Sequence, residues 1–486
     1  MKKRWISLLL ALVLCFALIP ADSAYAVQTD SNSIKVMAEE AGAEEIAYSL
    51  WAMDDLAVGD TYGIYPQSWY DKGMTVPIKN SQLRVLAAGL RGKLLDTGCA
   101  TEAGKVKLNI KSKMTVEETL EVLYSVISGY GYKGSIGLEE GLSSVLYMAE
   151  HGIFTGAEGE LSLGDVCTVE QACVIATRLV TYIYDALDAA SKGFLWEVKS
   201  GQTTVYLLGS IHMATYDIYP FSEKMLEAFQ SSDALAVELN MLDPNGTAIL
   251  MQYGMYTDGT TLKDHVSAET YQKTVELGKK VGFSEIQIAL FKPWVLDSLF
   301  SAFTSTNTGS LEGLSLATEL GIDMKFTVDA ILSGKPVLEV EGYELQAQTL
   351  DSFSDELEEY MLDSTIDTVN GIFAGTEPDT TDTLDEMLTY WHDGDVEAFK
   401  EYIAPMYNLP EFYEQGMPEE TGVLVEEYIN KLITLRDIGM ASYIDTLLKG
   451  EGSRTYFVVL GSGHFLTDYS VIDLLMEKGY EITQIK

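Results

Sequence analysis

Two segments of this chain share one order: an apolar strand pattern, a Gly-x-x-His motif and then a helix pattern. The first segment runs from Thr203 through Gly-Ser-Ile-His, which ends at His212. The second runs from Thr455 through Gly-Ser-Gly-His, which ends at His464. Glycine allows a sharp turn off a strand, and ligands of open α/β sheets bind at the carboxyl ends of the strands. The two units therefore predict an α/β fold with both histidines at one edge of the sheet.

A carboxylate is expected beside the first histidine. The strand over 203–208 is followed by a predicted helix from Ser222 to about Gln230 and then by a buried-looking strand over 234–239. Such a strand–helix–strand unit has parallel strands whose carboxyl ends lie at the same edge. We therefore expect Glu238 to lie close to His212.

The segment from about 307 to 430 interrupts this alternation, because its pattern is mainly that of helices with acidic exposed faces. We expect it to form a cap over the strand edge that shapes substrate access. For 194–486 the sequence thus predicts a mixed, largely parallel α/β sheet with two strand–Gly-x-x-His–helix units and a helical cap. A smaller, mainly α-helical domain over 45–190 precedes it.

The beginning of the chain has the pattern of an exported protein. The basic residues from Lys2 to Arg4 precede a short apolar run, and Ala24-Tyr25-Ala26 follows it, which predicts a signal peptide over 1–26. Small polar residues over 27–44 are typical of a linker. No later segment is apolar and long enough to span a bilayer. We expect a secreted, extracellular protein, associated with the cell wall or released, that does not span the membrane after cleavage.

The helical pattern over 45–190 contains a repeated order of helix, Gly-Ile turn, loop and helix, once over 51–83 and again over 148–172. Thr168 is the predicted N-cap of the last helix. This order resembles surface-layer homology modules, and the resemblance implies binding to a cell-wall polymer. Those modules contact the polymer through an arginine at the helix start, whereas Thr168-Val169-Glu170-Gln171 has none. A helical module without a polymer-binding role is therefore the alternative.

Charge and cysteine content narrow the possible partners. A formal net charge of −41 excludes nucleic acid as a ligand. The 47% content of hydrophobic residues excludes a disordered acidic polymer. Beyond the leader the cysteines are Cys99, Cys167 and Cys173, an odd number without metal-type spacing, so we predict buried free thiols.

Further motifs accompany the two Gly-x-x-His sequences. They are Tyr219-Pro220, Val237-Glu238-Leu239, Lys292-Pro293-Trp294, Gly321-Ile322-Asp323, Gly334-Lys335-Pro336-Val337, Val340-Glu341, Trp391 to Asp395 and Arg436. In this order they resemble the TraB/GumN family, which includes the Tiki-type metalloproteases and is related to erythromycin-esterase-like and ChaN-like proteins. The resemblance extends from about residue 194 to the C-terminus.

The resemblance implies a hydrolase that uses a divalent metal, with a peptidase as one form of it, acting on a peptide or small-molecule substrate. Two neutral imidazoles and a carboxylate suit Zn²⁺, Mn²⁺ or Co²⁺, and an open position on the metal activates a water. His212, Glu238 and His464 are then the metal ligands, with Glu238 alternatively the general base. Glu341 is a second carboxylate, and Arg436 holds a developing oxyanion or a substrate carboxylate.

Three alternatives stay open at this point. In the first, no metal is used: one histidine activates water, oriented by Glu238, and the other polarises a carbonyl group. In the second, Glu341 and Arg436 form a buried ion pair with no part in the chemistry. In the third, the chain is a catalytically silent surface protein that binds a peptide or another small ligand in the same pocket. The chain also has Asp437 after Arg436, where many members of the family have Asn, and Phe465 after His464, where Gly is usual.

Overall fold

The computed structural model covers most of the chain after the predicted leader. It describes residues 47–102, 108–111, 113–156, 161–302, 311–375, 381–407, 409–414 and 416–486. The signal peptide predicted over 1–26 and the linker predicted over 27–44 lie outside these ranges. Within them, no helix has the length and apolar character needed to cross a membrane.

The described residues form two compact units. The smaller contains the residues up to Ser191 together with Tyr216–Glu223, and the larger contains Lys192–Thr215 together with Lys224–Lys486. The chain therefore passes into the larger unit at Lys192, returns to the smaller unit over Tyr216–Glu223, and then completes the larger unit from Lys224 onward.

The smaller unit is mainly helical, as predicted. Its elements are α1 (Met53–Tyr62), α2 (Asn80–Asp96), β1 (Ala100–Glu102), α3 (Val116–Ile127), β2 (Tyr130–Tyr132), α4 (Ser144–Glu150) and α5 (Val169–Ala186), with 3-10 turns at Leu50–Ala52, Gln67–Lys72 and Tyr216–Ile218. β1 and β2 form an antiparallel pair. The helices bury one apolar face each; on α3 this face includes Val116, Leu120, Leu123 and Ile127, at the spacing of an amphipathic helix.

Local turn and cap chemistry sets the repeated order in this unit. Gly63 and Gly152 follow α1 and α4 with φ of 64° and 67°, in the left-handed region that glycine tolerates best. Thr168 caps α5 as predicted, since its side chain accepts a hydrogen bond from the backbone N–H of Gln171 at 3.3 Å. Among the thiols, Cys167 and Cys173 are buried and free as predicted, and Cys99, also free, is only half-buried.

The larger unit is built on one six-stranded sheet. Its strands are β3 (Phe194–Ser200), β4 (Thr203–Ser210), β5 (Ala234–Val237), β6 (Val337–Glu339), β7 (Thr455–Gly461) and β8 (Ile482–Ile485), in the order β6-β5-β7-β4-β3-β8. The four strands from β6 to β4 are mutually parallel, and β3 is antiparallel to both of its neighbours. The predicted mixed, largely parallel sheet is confirmed. Because β7 is parallel to its two neighbours β4 and β5, the carboxyl ends of all three strands lie at the same edge of the sheet.

Helices surround the sheet and form the predicted cap. They are α6 (Glu223–Gln230), α7 (Gly246–Gly254), α8 (Leu262–His265), α9 (Ala268–Lys280), α10 (Glu285–Leu290), α11 (Pro293–Ala302), α12 (Leu311–Glu319), α13 (Ile322–Leu332), α14 (Gly342–Leu350), α15 (Asp355–Phe373), α16 (Thr381–Asp393), α17 (Val396–Tyr407), α18 (Leu409–Glu414), α19 (Glu419–Ile429), α20 (Leu435–Leu448), α21 (Ser462–Leu466) and α22 (Val471–Glu477). A π-helical turn, Asn430–Thr434, joins α19 to α20.

The predicted helical insertion over 307–430 needs one correction. Within it, β6 pairs in parallel with β5 and extends the sheet, so this part of the segment is not helical. Gly334 ends the preceding helix with φ of 68°, and Pro336 leads directly into the strand. A strand of three residues is too short to show a strand period, which is why the helical pattern around it concealed it. Residues 307–310, 376–380, 408 and 415 of this segment lie outside the described ranges.

A buried carboxyl group lies inside the cap, between α11 and α15. Asp297 is fully buried in an apolar cluster that includes Leu296 and Ile366. Thr365 Oγ1 donates a hydrogen bond to Asp297 Oδ1 at 2.6 Å, while Asp297 Oδ2 has no partner among the described residues. Burial raises the pKa of Asp297 to about 7, although the hydrogen bond from Thr365 opposes the shift. Between about pH 4 and pH 7 the folded protein therefore keeps a proton on Asp297 that the unfolded chain has released.

We predict that Asp297→Asn stabilises the protein at alkaline pH. The folded state keeps the Asp297 proton up to about pH 7, whereas the unfolded chain loses it near pH 4. The wild type thus loses stability as the pH rises through this window and is level above it. At about pH 8 the variant should gain on the order of 4 kcal/mol of unfolding free energy, and at about pH 4 nearly none. Urea-induced unfolding at both pH values measures this difference.

The exposed Asp468 supplies the control, because Asp468→Asn changes the same chemical group without changing a buried one. If Asp297→Asn and Asp468→Asn follow the wild-type pH dependence equally, then Asp297 does not hold the proton.

Candidate active site

The predicted site residues His212, Glu238 and His464 meet around Gly461, the last residue of β7. A methyl group placed on Gly461 would lie 3.3 Å from Glu238 Oε1, 3.6 Å from His464 Cδ2 and 3.7 Å from His212 Nε2. The sheet order explains this, because β7 lies between β4, which precedes His212, and β5, which precedes Glu238. We call the space above Gly461, bounded by these three side chains, the Gly461 cradle.

His212 is oriented by a buried aspartate. Its Nδ1 lies 2.8 Å from Asp323 Oδ2, and Ser210 Oγ donates to Asp323 Oδ1 at 2.8 Å. A carboxylate can only accept hydrogen bonds, so Nδ1 carries a proton, and Nε2 is the ring nitrogen that faces the cradle. Burial by itself lowers the pKa of His212, but the charge and hydrogen bond of Asp323 prevail and raise that pKa to about 9.

A glycine brings Asp323 to this position. Asp323 lies in the first turn of α13, whose preceding residue is Gly321. A methyl group on Gly321 would lie 2.1 Å from the carbonyl oxygen of His212, so only glycine allows this approach. The backbone N–H of Ile322 then donates to the Ile211 carbonyl at 3.2 Å. The Gly-Ile-Asp motif thus docks α13 onto the chain at His212.

His464 has a matching partner in Asp437. His464 Nδ1 lies 2.5 Å from Asp437 Oδ1, and both side chains are buried. His464 therefore also carries its proton on Nδ1, and its Nε2 lies 3.9 Å from Glu238 Oε1. Burial raises the pKa of Asp437, and the neighbouring His464 opposes that shift. Asp437 follows Arg436 in the first turn of α20.

Glu238 is held at both of its oxygens. Oε1 accepts from the backbone N–H of Gly461 at 2.6 Å, and Oε2 accepts from Arg436 Nη2 at 2.6 Å and from Gln346 Nε2 at 3.3 Å. Burial acts to raise the pKa of Glu238, but Arg436 and the two imidazoles outweigh it and hold this pKa well below its ordinary value. Glu238 is thus a fixed negative charge between the histidines.

Arg436 bridges two buried carboxylates. Its Nη2 also donates to Glu341 Oε2 at 2.7 Å and its Nε to Glu341 Oε1 at 2.9 Å. Glu341 receives a further hydrogen bond from Gln346 at 3.1 Å. The geometry matches the alternative in which Glu341 and Arg436 form a buried ion pair. The π-helical turn Asn430–Thr434 lies directly before Arg436, a placement typical of functional sites in long helices.

Sequence reasoning missed several residues of the site. Asp323 and Asp437 orient the two histidines, Gln346 contacts Glu238, and Trp391 Nε1 donates to the Gly209 carbonyl at 2.7 Å. Asp323 lies within the Gly-Ile-Asp motif, and Trp391 begins another of the quoted motifs, so those motifs could have indicated them. The contacts of Asp323, Gln346 and Trp391 span more than a hundred residues of sequence, and that of Asp437 with His464 spans 27, so no local pattern reveals them.

The donor atoms form a partial set for a metal ion. Within the described part of the chain, no group of three or more His, Cys, Asp and Glu side chains has the arrangement of a complete metal site. The imidazoles of His212 and His464 nevertheless fit the requirements of metal ligands, because each has its Nδ1–H bound to a carboxylate and its Nε2 available. The oxygens of Glu238 are both engaged by protein donors.

We predict that Arg436→Gln destabilises the protein by about 3 kcal/mol, because two buried carboxylates lose their cation. Adding Glu341→Gln to this variant should recover part of the loss, since one of the two charges is then absent. Lys431→Gln is the control one turn earlier, where a partly exposed lysine pairs with Glu427 at 2.8 Å; there we expect a change below about 1 kcal/mol. Denaturant-induced unfolding measures all three. Equal effects of Arg436→Gln and Lys431→Gln would contradict the ion-pair network.

The larger unit has recognisable relatives. The sequence model of the TraB/PrgY/gumN family matches residues 194–484. The chain is 24% identical over 319 residues to "Metalloprotease TIKI2" of Danio rerio, a match that covers 60% of each protein. It is 23% identical over 324 residues to "Metalloprotease TIKI homolog" of Nematostella vectensis, covering 60% of this chain and 67% of the relative. It is 24% identical over 192 residues to "Uncharacterized protein YbaP" of Escherichia coli, covering 40% of this chain and 60% of the relative.

These matches span 60–67% of the length of the curated relatives. No solved structure gives a significant match to the chain. The family match covers more than half of the chain and contains both Gly-x-x-His motifs, Glu238 and the Arg436-Asp437 pair. The chain belongs to the TraB/PrgY/gumN family.

Proposed function

We propose that this protein is a divalent-metal-dependent hydrolase that acts on peptides at the Gly461 cradle. One observation carries the proposal: His212 Nε2 and the Cδ2 edge of His464 lie beside Gly461, His464 Nε2 lies 3.9 Å from Glu238 Oε1, and the Nδ1 atom of each ring is bound by a buried aspartate. Relatives at 23–24% identity that are named metalloproteases support the same class of activity.

His212 and His464 are the residues that would hold the metal through Nε2. Glu238 lies between them, so that either its Oε1 completes the ligand set or its charge balances that of the ion. Imidazole nitrogen with carboxylate oxygen suits Zn²⁺, Mn²⁺ and Co²⁺. A bound ion of this kind supplies a water that is deprotonated near neutral pH and polarises a carbonyl group.

The other side chains keep this arrangement in place. Asp323 and Asp437 fix the ring orientation of the two histidines, and hydrogen bonds of this kind raise the basicity of the ligand nitrogen. Arg436 and the Gly461 N–H fix Glu238. We therefore propose that Arg436 acts by holding Glu238, in place of the oxyanion contact predicted from the sequence, because its Nη2 and Nε already bind two carboxylates.

The site of action is proposed to be extracellular, on the basis of the leader pattern over 1–26. Binding of a cell-wall polymer by residues 45–190 stays a prediction. Co-sedimentation of the whole chain with purified cell walls tests it.

We predict that the wild type binds about one divalent ion per chain and that His212→Ala and His464→Ala both lose it. Gly461→Ala should lose it as well, because its backbone conformation, φ −53° and ψ 138°, accepts alanine while the methyl group fills the cradle. Gly439→Ala is the matched control, since a methyl group there would contact nothing within 4 Å. Metal analysis after dialysis, with circular dichroism to confirm folding, measures this.

The same four variants and the wild type are then tested on a fluorogenic peptide library with and without a chelator. Cleavage that requires the metal, is retained in Gly439→Ala and is lost in the other three supports the proposal. If no candidate metal binds, the metal mechanism is wrong, and chelator-resistant cleavage would favour the histidine-only mechanism. Peptide binding without cleavage would instead identify a ligand-binding protein.

A further inference from the structure

The two aspartates that orient the histidines are not equally satisfied. Asp323 uses both oxygens, one for His212 and one for the hydroxyl of Ser210. Asp437 uses Oδ1 for His464, whereas its Oδ2 is buried and has no hydrogen-bond partner among the residues that the structure describes. A buried carboxylate oxygen without a donor is costly. We therefore expect a hydrogen-bond donor to Asp437 Oδ2 that corresponds to the Ser210 hydroxyl at Asp323.

Tyr407 is placed to supply that donor. It is the last residue of α17 and is half-buried. Its hydroxyl lies 3.4 Å from the point where a side chain on Gly463 would begin, and Gly463 directly precedes His464. Gly463 thus connects the Tyr407 hydroxyl to the His464–Asp437 pair, because His464 follows Gly463 and is bound to Asp437. Among the described residues this hydroxyl has no hydrogen-bond partner.

We propose that Tyr407 is a positioning residue for His464: the Tyr407 hydroxyl donates to one bridging water, which in turn donates to Asp437 Oδ2. A phenol hydroxyl is a donor, a carboxylate oxygen is an acceptor, and one water can span a gap too long for direct contact. Tyr407 then does for the Asp437–His464 pair what Ser210 does for the Asp323–His212 pair. The consequence is that a helix of the cap sets the orientation of one of the two site histidines.

The importance of His464 for turnover rests on the proposed function, but the contact itself can be tested without it. The chain has five histidines, so selective ¹⁵N-histidine labelling gives five pairs of imidazole nitrogen signals. The variants His212→Ala and His464→Ala assign two of these pairs. In Tyr407→Phe we expect the imidazole nitrogens of His464 to shift while those of His212 stay in place. In Ser210→Ala, the matched variant, we expect the reverse.

Metal affinity and kinetics extend the test. Tyr407→Phe should weaken Zn²⁺ binding by about tenfold, in the range typical of lost outer-shell contacts. It should also lower kcat with KM nearly unchanged, because the affected group lies behind His464 and not against the substrate. In an Asp437→Asn background, Tyr407→Phe should add nothing, since the acceptor oxygen is gone.

Two results would overturn the proposal: His464 signals in Tyr407→Phe that match the wild type, or equal shifts of His212 and His464. Full additivity of Tyr407→Phe and Asp437→Asn in Zn²⁺ affinity would overturn it as well. If instead the proposed function is wrong, the wild type itself binds no metal and shows no turnover. The imidazole signals decide the Tyr407 contact in that case too.

Discussion

The buried guanidinium of Arg436 is the interaction on which the arrangement of the site depends. It joins Glu238 at the end of β5 to Glu341 before α14, and all three side chains are removed from water. A carboxylate in such surroundings stays charged only beside a cation, so Glu238 can lie between two histidines because Arg436 compensates it. The next residue, Asp437, orients His464. The first turn of α20, which follows the π-helical turn, thus supplies both Arg436, the cation for Glu238, and Asp437, the partner of His464.

The two histidines are prepared in the same way by different parts of the chain. Asp323 comes from α13 and Asp437 from α20, yet each binds Nδ1 and leaves Nε2 toward Gly461. Binding and catalysis both need side chains whose orientation is fixed before the ligand arrives, because ordering them later costs free energy. Gly461 keeps the space between them open, and its N–H fixes the near oxygen of Glu238. The proposed chemistry therefore depends on backbone and outer-shell contacts as much as on the three residues that face the cradle.

The sequence predicted the parts of this site that follow from strand geometry. A strand that ends in Gly-x-x-His places its histidine at the carboxyl edge, and the parallel strands around β7 bring His212, Glu238 and His464 to that edge as expected. It did not reveal β6, because three residues are too few to show a period. Nor did it reveal the role of Asp323, whose contact with His212 spans 111 residues. Such contacts are set by how helices dock on the sheet, which depends on details such as the close approach at Gly321 and not on local pattern.

The most direct test of the account is anomalous diffraction from crystals of the wild-type protein soaked with Co²⁺ or Zn²⁺. The account predicts one ion above Gly461, about 2.1 Å from the Nε2 atoms of both His212 and His464, with Asp323 and Asp437 still bound to the two Nδ1 atoms. An ion bound elsewhere, coordination through Nδ1, or an empty cradle at saturating metal would contradict it.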